Sequence, residues 1–285
     1  MKFTLVCLLT TFTFAKTLNF ETTRTKSTAG AGVASILMNE ATVTNPAPLA
    51  FFNLSSIYFE KFSTNTTIDS NSQELDNYAF IASDSSKNLK DSVAFIKSSS
   101  SELKNKQINI ALASNIGKKS AAGLTYKDIR KQYLYNGKII TKEYKQFVPG
   151  VFHVINQDFS IGFVAIDPLR KNPEESKLVL GAQYTLLNYI TLMFDFGADY
   201  KEDLNEKSMV RSAAQIKIFN DFFLRVGAYE DKALKERGNG IGLGWVQPKL
   251  VIDVALKNTR VSESAILQQN EEKIKETSFS LAYRF

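Results

Sequence analysis

Apolar and polar residues alternate along most of this chain. In 189–200, Ile190, Leu192, Phe194, Phe196 and Ala198 oppose Thr191, Met193, Asp195, Gly197 and Asp199. A period of two puts successive side chains on opposite faces of a strand. In 249–258, Leu250, Ile252, Val254 and Leu256 oppose Asp253 and Lys257; in 209–219, Val210, Ala214, Ile216 and Ile218 oppose Arg211, Gln215 and Lys217. The pattern predicts fourteen strands: 55–63, 77–83, 91–98, 107–115, 120–127, 144–155, 159–167, 177–186, 189–200, 209–219, 222–230, 240–246, 249–258 and 277–285. These approach the roughly 9–11 residues with which a tilted strand crosses a bilayer. Leu178 to Phe194 is free of charge, but its period is two on both sides of Asn188, which predicts a hairpin rather than a helix.

The connections alternate as well. Tight joints fall at 116–119, 156–158, 187–188, 220–221 and 247–248. Between them lie longer polar segments at 99–106, 128–143, 168–176, 201–208, 231–239 and 259–276. Short turns at one end and longer loops at the other are the pattern of a transmembrane barrel. An even strand number puts both termini on the short-turn side, the periplasm in an outer-membrane protein. A soluble all-β protein is the fallback, with no reason to sort its loops by length.

Composition narrows the chemistry. Of 285 residues, 44% are apolar and 22% charged, too apolar for disorder and too polar for a helical membrane bundle. A strand with one lipid face and one polar face averages to that mixture. The net charge of +6 is mild and unclustered, so no nucleic acid is expected as partner. One cysteine and one histidine leave no metal set, and no cofactor is expected.

Both ends fit export. The opening MKFTLVCLLTTFTFAK has a single Lys, then an apolar stretch, then Thr13 and Ala15 before a cut. It predicts a signal peptide over 1–15, whose removal takes Cys7 with it. At the other end Phe279, Leu281, Tyr283 and Phe285 share one face of an alternating strand. So apolar an edge would aggregate in water unless covered, and a closed barrel leaves no edge. A terminal strand ending on an aromatic resembles the signal read by the assembly machinery of Gram-negative outer membranes.

Residues 16–54 do not alternate. A polar, proline-interrupted run cannot lie against lipid with its backbone unpaired, so it is expected inside the barrel or in the periplasm. Its order is a Gly/Ala run from Thr28, a polar acidic turn, then Asn45-Pro46-Ala47 and Leu49-Ala50-Phe51-Phe52 before the first strand. This order resembles the hatch of FadL-type outer-membrane transporters and the N-terminus of the related PorV-type barrels. The resemblance implies a fourteen-stranded barrel over 55–285, plugged by 16–54, that passes small hydrophobic molecules. Asn45, Pro46 and Ala47 would be the hatch motif. Pro48 departs from the family's usual glycine, and the external loops are shorter and more charged than the family's. The alternative is a non-conducting, PorV-like barrel that anchors or carries surface proteins.

Other candidates are lumen or wall residues. Asp195, Asp199, Arg211, Lys217, Arg225, Asp253, Lys257 and Arg284 are expected on inner faces, pairing across strands or anchoring the plug. Pro149-Gly150 is a candidate strand kink, removing one ladder donor and opening a lateral gap for an apolar ligand. Gly238-Asn-Gly-Ile-Gly-Leu-Gly lacks the setting and lysine of a phosphate loop; small inward residues opposite bulky outward ones explain it. His153 is expected to be a lumen or interface side chain. Position 155 holds Ile155, not the serine that outer-membrane lipid hydrolases place two residues from their histidine, so no enzyme is expected.

Overall fold

The computed structural model describes residues 20–68, 71–86, 89–100, 103–135, 138–262 and 271–285. The expected signal peptide, Cys7 included, lies outside them. Fourteen strands follow in order: β1 Ser55–Ile68, β2 Asn71–Asp84, β3 Lys90–Ser99, β4 Leu103–Asn115, β5 Ser120–Tyr135, β6 Lys138–Val154 and β7 Phe159–Ile166. The second half is β8 Lys177–Leu186, β9 Ile190–Ala198, β10 Ser208–Lys217, β11 Phe222–Asp231, β12 Glu236–Val246, β13 Leu250–Val261 and β14 Glu272–Arg284. Each strand pairs with its sequence neighbours, and β1 pairs antiparallel with β14, closing the barrel. Each of the fourteen expected segments overlaps one strand. The stretch around Asn188 is the β8–β9 hairpin, its turn held by positive φ at Leu187 and Asn188, and no described helix is long and apolar enough to cross a membrane.

Several loops are shorter than the alternation predicts. The expected loop 99–106 is mostly strand, because β4 begins at Leu103; most of 128–143 is strand, because β5 runs to Tyr135 and β6 starts at Lys138. The loop expected at 231–239 contracts to 232–235; β13 and β14 extend into 259–276, of which 263–270 lie outside the described residues. The physical reason is that these strand ends project past the apolar belt. Lys104 and Lys106 face out while Asn105 and Gln107 face in, so the ladder continues where apolar alternation has stopped. By contrast 168–176 and 201–208 are true connections, carrying short helical turns at Pro173–Glu175 and Leu204–Lys207.

Burial alternates along the strands, and the outward set is a continuous apolar belt. Every strand exposes at least one large apolar side chain there, among them Phe59, Phe80, Phe95, Ile110, Leu124, Val151, Phe163, Leu180, Phe194, Val210, Val226, Leu243, Val254 and Leu281. Left in water, each of these half-exposed side chains forgoes part of the about 1.5–3 kcal/mol that full burial brings. A belt of this kind calls for lipid, and the sheet has no free edge to leave unpaired in it.

The inner wall and the N-terminal segment as candidate functional site

Residues 20–54 contact inward-facing side chains, and their contacts sweep around the wall. Near Thr23–Ser27, a single helical turn capped by Thr22, Lys26 pairs with Glu60 of β1 at 2.7 Å and lies over the Phe62 ring. Glu21 pairs with Lys257 of β13 at 2.7 Å, and Arg24 reaches Asp253 at 3.4 Å. Further on, Arg211 of β10 donates to the Gly30 carbonyl at 3.0 Å, and Asp195 of β9 accepts from the Gly32 and Val33 amides. Ser160 of β7 donates to the Ala34 carbonyl at 2.8 Å. Beyond it Asn115 of β4 donates to the Ala50 carbonyl at 3.2 Å, and Thr42 meets Ser92 of β3.

Asn45 sits at the join between segment and wall. Its Nδ2 donates to the carbonyls of Val33 and Val151, at 2.9 and 3.1 Å, and its Oδ1 accepts from the Ala47 amide. One side chain thus ties two parts of the segment to β6 and caps the 3₁₀ turn Ala47–Phe51 that Pro46 precedes. Leu49, Ala50 and Phe152 pack in one apolar cluster beside this turn.

Inward-facing glycines make room for the segment. A Cβ on Gly123 of β5 would stand 2.8 Å from the Pro46 carbonyl carbon. One on Gly150 would strike the Asn45 amide, on Gly162 the Val33 carbonyl, on Gly227 the Thr28 backbone and on Gly240 the Lys26 carbonyl. Only the residue without a side chain lets two backbones approach so closely. The glycine-rich stretch of β12 therefore has a reason beyond small size: segment 26–29 presses on Gly240, and Ser27 on Gly242.

The charged candidates divide into groups. Asp195, Arg211, Asp253 and Lys257 touch the segment. Arg225 is fully buried and spans the wall, donating to Gln215 at 2.7 Å and Asp253 at 2.6 Å. Asp199 instead binds Arg170 of the 167–176 connection at 2.5 Å, fastening a loop rather than the segment. Lys217 stands half-buried beside the short turn after β10, and Arg284 at the same end of β14. Phe279, Leu281 and Tyr283 face out on β14, and Phe285 exchanges backbone hydrogen bonds with Ser55. Glu21 shows how the interior keeps its charges: burial pushes its carboxyl up, but Lys257 and Arg211 outweigh this and hold it below the ordinary value.

Pro149 and Gly150 mark a break in the wall. β6 runs on to Lys138, yet its ladder with β7 covers only Gly150–Val154. Pro149 pairs with Leu124 of β5 on its other side. Inside the break, the turn at Pro173–Glu175 comes close: Glu175 accepts from Gln146 at 2.8 Å and from Tyr144 at 3.3 Å. Near the short-turn end a recess of about 190 Å³ opens between the segment's Ile36 and Leu37 and Met193, Phe223 and Val246 of the wall.

One pairing escaped the sequence. Ser120 of β5 lies opposite His153 of β6, its Oγ 2.8 Å from Nδ1. Spacing along a single strand cannot reveal it; the register between β5 and β6 does. The pair is on the outer face at the short-turn end. Among the described residues no group of three or more His, Cys, Asp or Glu could hold a metal ion.

The closed, antiparallel fourteen-strand wall with its apolar belt defines an outer-membrane-type β-barrel. Its fold is shared in particular with FadL-type hydrocarbon channels. The CymD monoaromatic hydrocarbon channel matches with a TM-score of 0.67 at 11% identity, over 92% of this chain and 96% of that one. The Pseudomonas putida toluene transporter TodX matches with a TM-score of 0.66 at 9% identity, over 94% and 98%. A Pseudomonas aeruginosa FadL homologue matches at 0.57 and 10%, over 92% and 98%. No family model and no curated protein matches the sequence.

Proposed function

We propose that the chain is an outer-membrane channel for small hydrophobic molecules in which residues 20–54 form a movable plug. The observation that carries the reading is the fit of that segment to the inner wall, backbone against glycine at Gly123, Gly162, Gly227 and Gly240. The fold shared with a monoaromatic hydrocarbon channel and a toluene transporter supports the substrate class.

The break between β6 and β7 serves as the lateral way out of the lumen. Pro149 ends the ladder, so an apolar molecule leaves the interior between Pro149 and the start of the 167–176 connection and enters lipid without crossing the polar headgroups. The bonds from Tyr144 and Gln146 to Glu175 keep this side closed at rest. No reaction is catalysed; the Ser120–His153 contact has no third residue bonded to the imidazole among the described ones, so it works as a cross-strand hydrogen bond.

Uptake of labelled toluene by Gram-negative cells carrying the protein tests the reading. Expression should speed uptake over cells without it, and P149T, which restores the missing ladder donor, should remove most of that gain. Equal uptake with and without the protein overturns the channel reading; unchanged uptake in the variant overturns the lateral route alone.

A further inference from the structure

Above the apolar belt, at the end opposite the short turns, the outer face of β12–β14 carries adjacent cations. The registers set Arg237 opposite Arg260, and Arg260 opposite Lys273. Lys275 lies two residues along β14, opposite Asn258. All four are exposed, and none makes an ion pair with a described residue. Two exposed acids flank the group, Glu230 opposite Arg237 on β11 and Glu271 two residues before Lys273, and on the far side of β14 stand uncharged Asn65 and Thr67. The side chains border a groove of about 590 Å³ that Tyr229, Gly238, Thr259 and Ile274 also line.

Like charges directly opposite on a sheet destabilise it, so three in one row cost the free barrel stability that a bound anion returns. The basic row on β3–β5 is different: Arg130 there is neutralised by Glu143 at 3.1 Å. The position of the groove decides between anions. Just below it on the same strands lie Ile241, Leu243, Val254, Leu256 and Phe279, the apolar belt itself. An anion bound here has an acyl-chain environment immediately beneath it.

We propose that Arg237, Arg260, Lys273 and Lys275 form a binding site for the phosphates of a lipid headgroup. The lipid lies along β12–β14 with its chains on the belt. Adjacent strands are about 4.7–4.9 Å apart, so the cations span more width than one phosphate covers, and a headgroup with two phosphates fits best. Arginine takes phosphate through a bidentate fork and lysine as a point charge. Asn239 and Asn258 add amide donors beside them. The site rests on reading the belt as lipid-facing, which holds whatever the channel conducts.

The test uses the full chain, folded in phosphatidylcholine vesicles with or without diphosphorylated lipid A or phosphatidylglycerol, or with inorganic phosphate in solution. Native mass spectrometry after detergent extraction counts retained lipid, and heat-dependent gel migration reports the barrel. Diphosphorylated lipid should stay bound and raise the melting temperature. Retention should fall by about tenfold or more in R237Q/R260Q/K273Q/K275Q. In pure phosphatidylcholine that variant should melt no lower than the parent, because repulsion has been removed. R260Q alone gives the same reading in smaller measure should the fourfold variant fail to fold. Unchanged retention in both variants, an equal loss in K97Q/K106Q, or protection by inorganic phosphate equal to that by lipid would each overturn the assignment. A protein that shows no heat-dependent migration in any vesicle would instead undo the barrel-in-lipid reading on which it rests.

Discussion

Two seams of the barrel contrast. The β1–β14 seam joins residues more than 200 positions apart, yet it is paired over thirteen positions, from Ser56 opposite Arg284 to Ile68 opposite Glu272. The β6–β7 seam joins sequence neighbours and holds five pairs, all on one side of Pro149. Closing a long loop costs entropy that grows slowly with its length, so distance along the chain is no obstacle once many bonds form together. What weakens the second seam is local: an imino acid without a donor, and a connection that turns into the lumen. The barrel spends its regularity where closure depends on it and gives it up where passage would be useful.

The largest effect should come from breaking the complete seam. Leu281 is outward on β14 within the belt, opposite Phe59 of β1. A charge at such a depth costs about 2–4 kcal/mol. L281R should therefore lower the urea midpoint of vesicle-refolded protein markedly, whereas the same change at Leu187, in a turn and 78% exposed, should leave it nearly unchanged. Equal sensitivity at both positions would remove the distinction between belt and turn.

Next in size is the contact between segment and wall. Lys26 and Glu60 are both buried, 2.7 Å apart. Removing one partner of such a pair typically costs about 3–5 kcal/mol, while replacing both with apolar residues is nearly neutral. K26M should loosen the segment and raise its susceptibility to added protease; K26M/E60M should restore protection only in part, because Glu60 also accepts from the Thr23 amide at 3.1 Å and the Tyr58 hydroxyl at 2.6 Å. G227V should act similarly by steric means, since its side chain would meet the Thr28 backbone. If both single variants keep parental protection, the segment is not held as described.

What the sequence could and could not reveal follows from the same contrast. The belt is legible because lipid demands apolar residues at every second position, as in β9 and β13. The strand ends at Lys104–Gln107 and Lys138–Glu143 are not, because water accepts polar residues on both faces while the ladder runs on. The glycines opposite the segment give no periodic signal; Gly240 and Gly242 read equally well as small lumen residues, and only the segment's path explains them. Asp199, just past the end of β9, reads from the alternation as an inner-face residue, but its partner is not legible, since Arg170 belongs to a connection with no period. Ser120 and His153 required a register that alternation within one strand does not contain.

Acid should release the segment in a defined direction. The folded pKa of Glu21 lies below its ordinary value of 4.5, held down by Lys257 and Arg211 against the upward push of burial. A depressed carboxyl contributes stability that is fully present above the unfolded pKa and is lost as pH falls through the folded one. Protease protection of the segment should hold from neutrality to the ordinary carboxylate range and decline only below it. K257M, which removes the nearest cation, should move that decline to higher pH, and an unmoved midpoint would show that Glu21 does not control attachment.

The smallest effect concerns neither seam but the turn that sets the register of β8 with β9. Leu187 has φ of 50° and Asn188 of 60°, so both central residues are left-handed. That geometry favours Asn-Gly and strains a leucine by about 1–2 kcal/mol. L187N should therefore stabilise the barrel slightly, visible as a small rise in the urea midpoint with toluene uptake unchanged. A turn is a local device, and relieving it should not reach the β6–β7 break. If uptake changed along with stability, the two ends of the barrel would be coupled, and the β6–β7 seam would not yield independently of the rest of the wall.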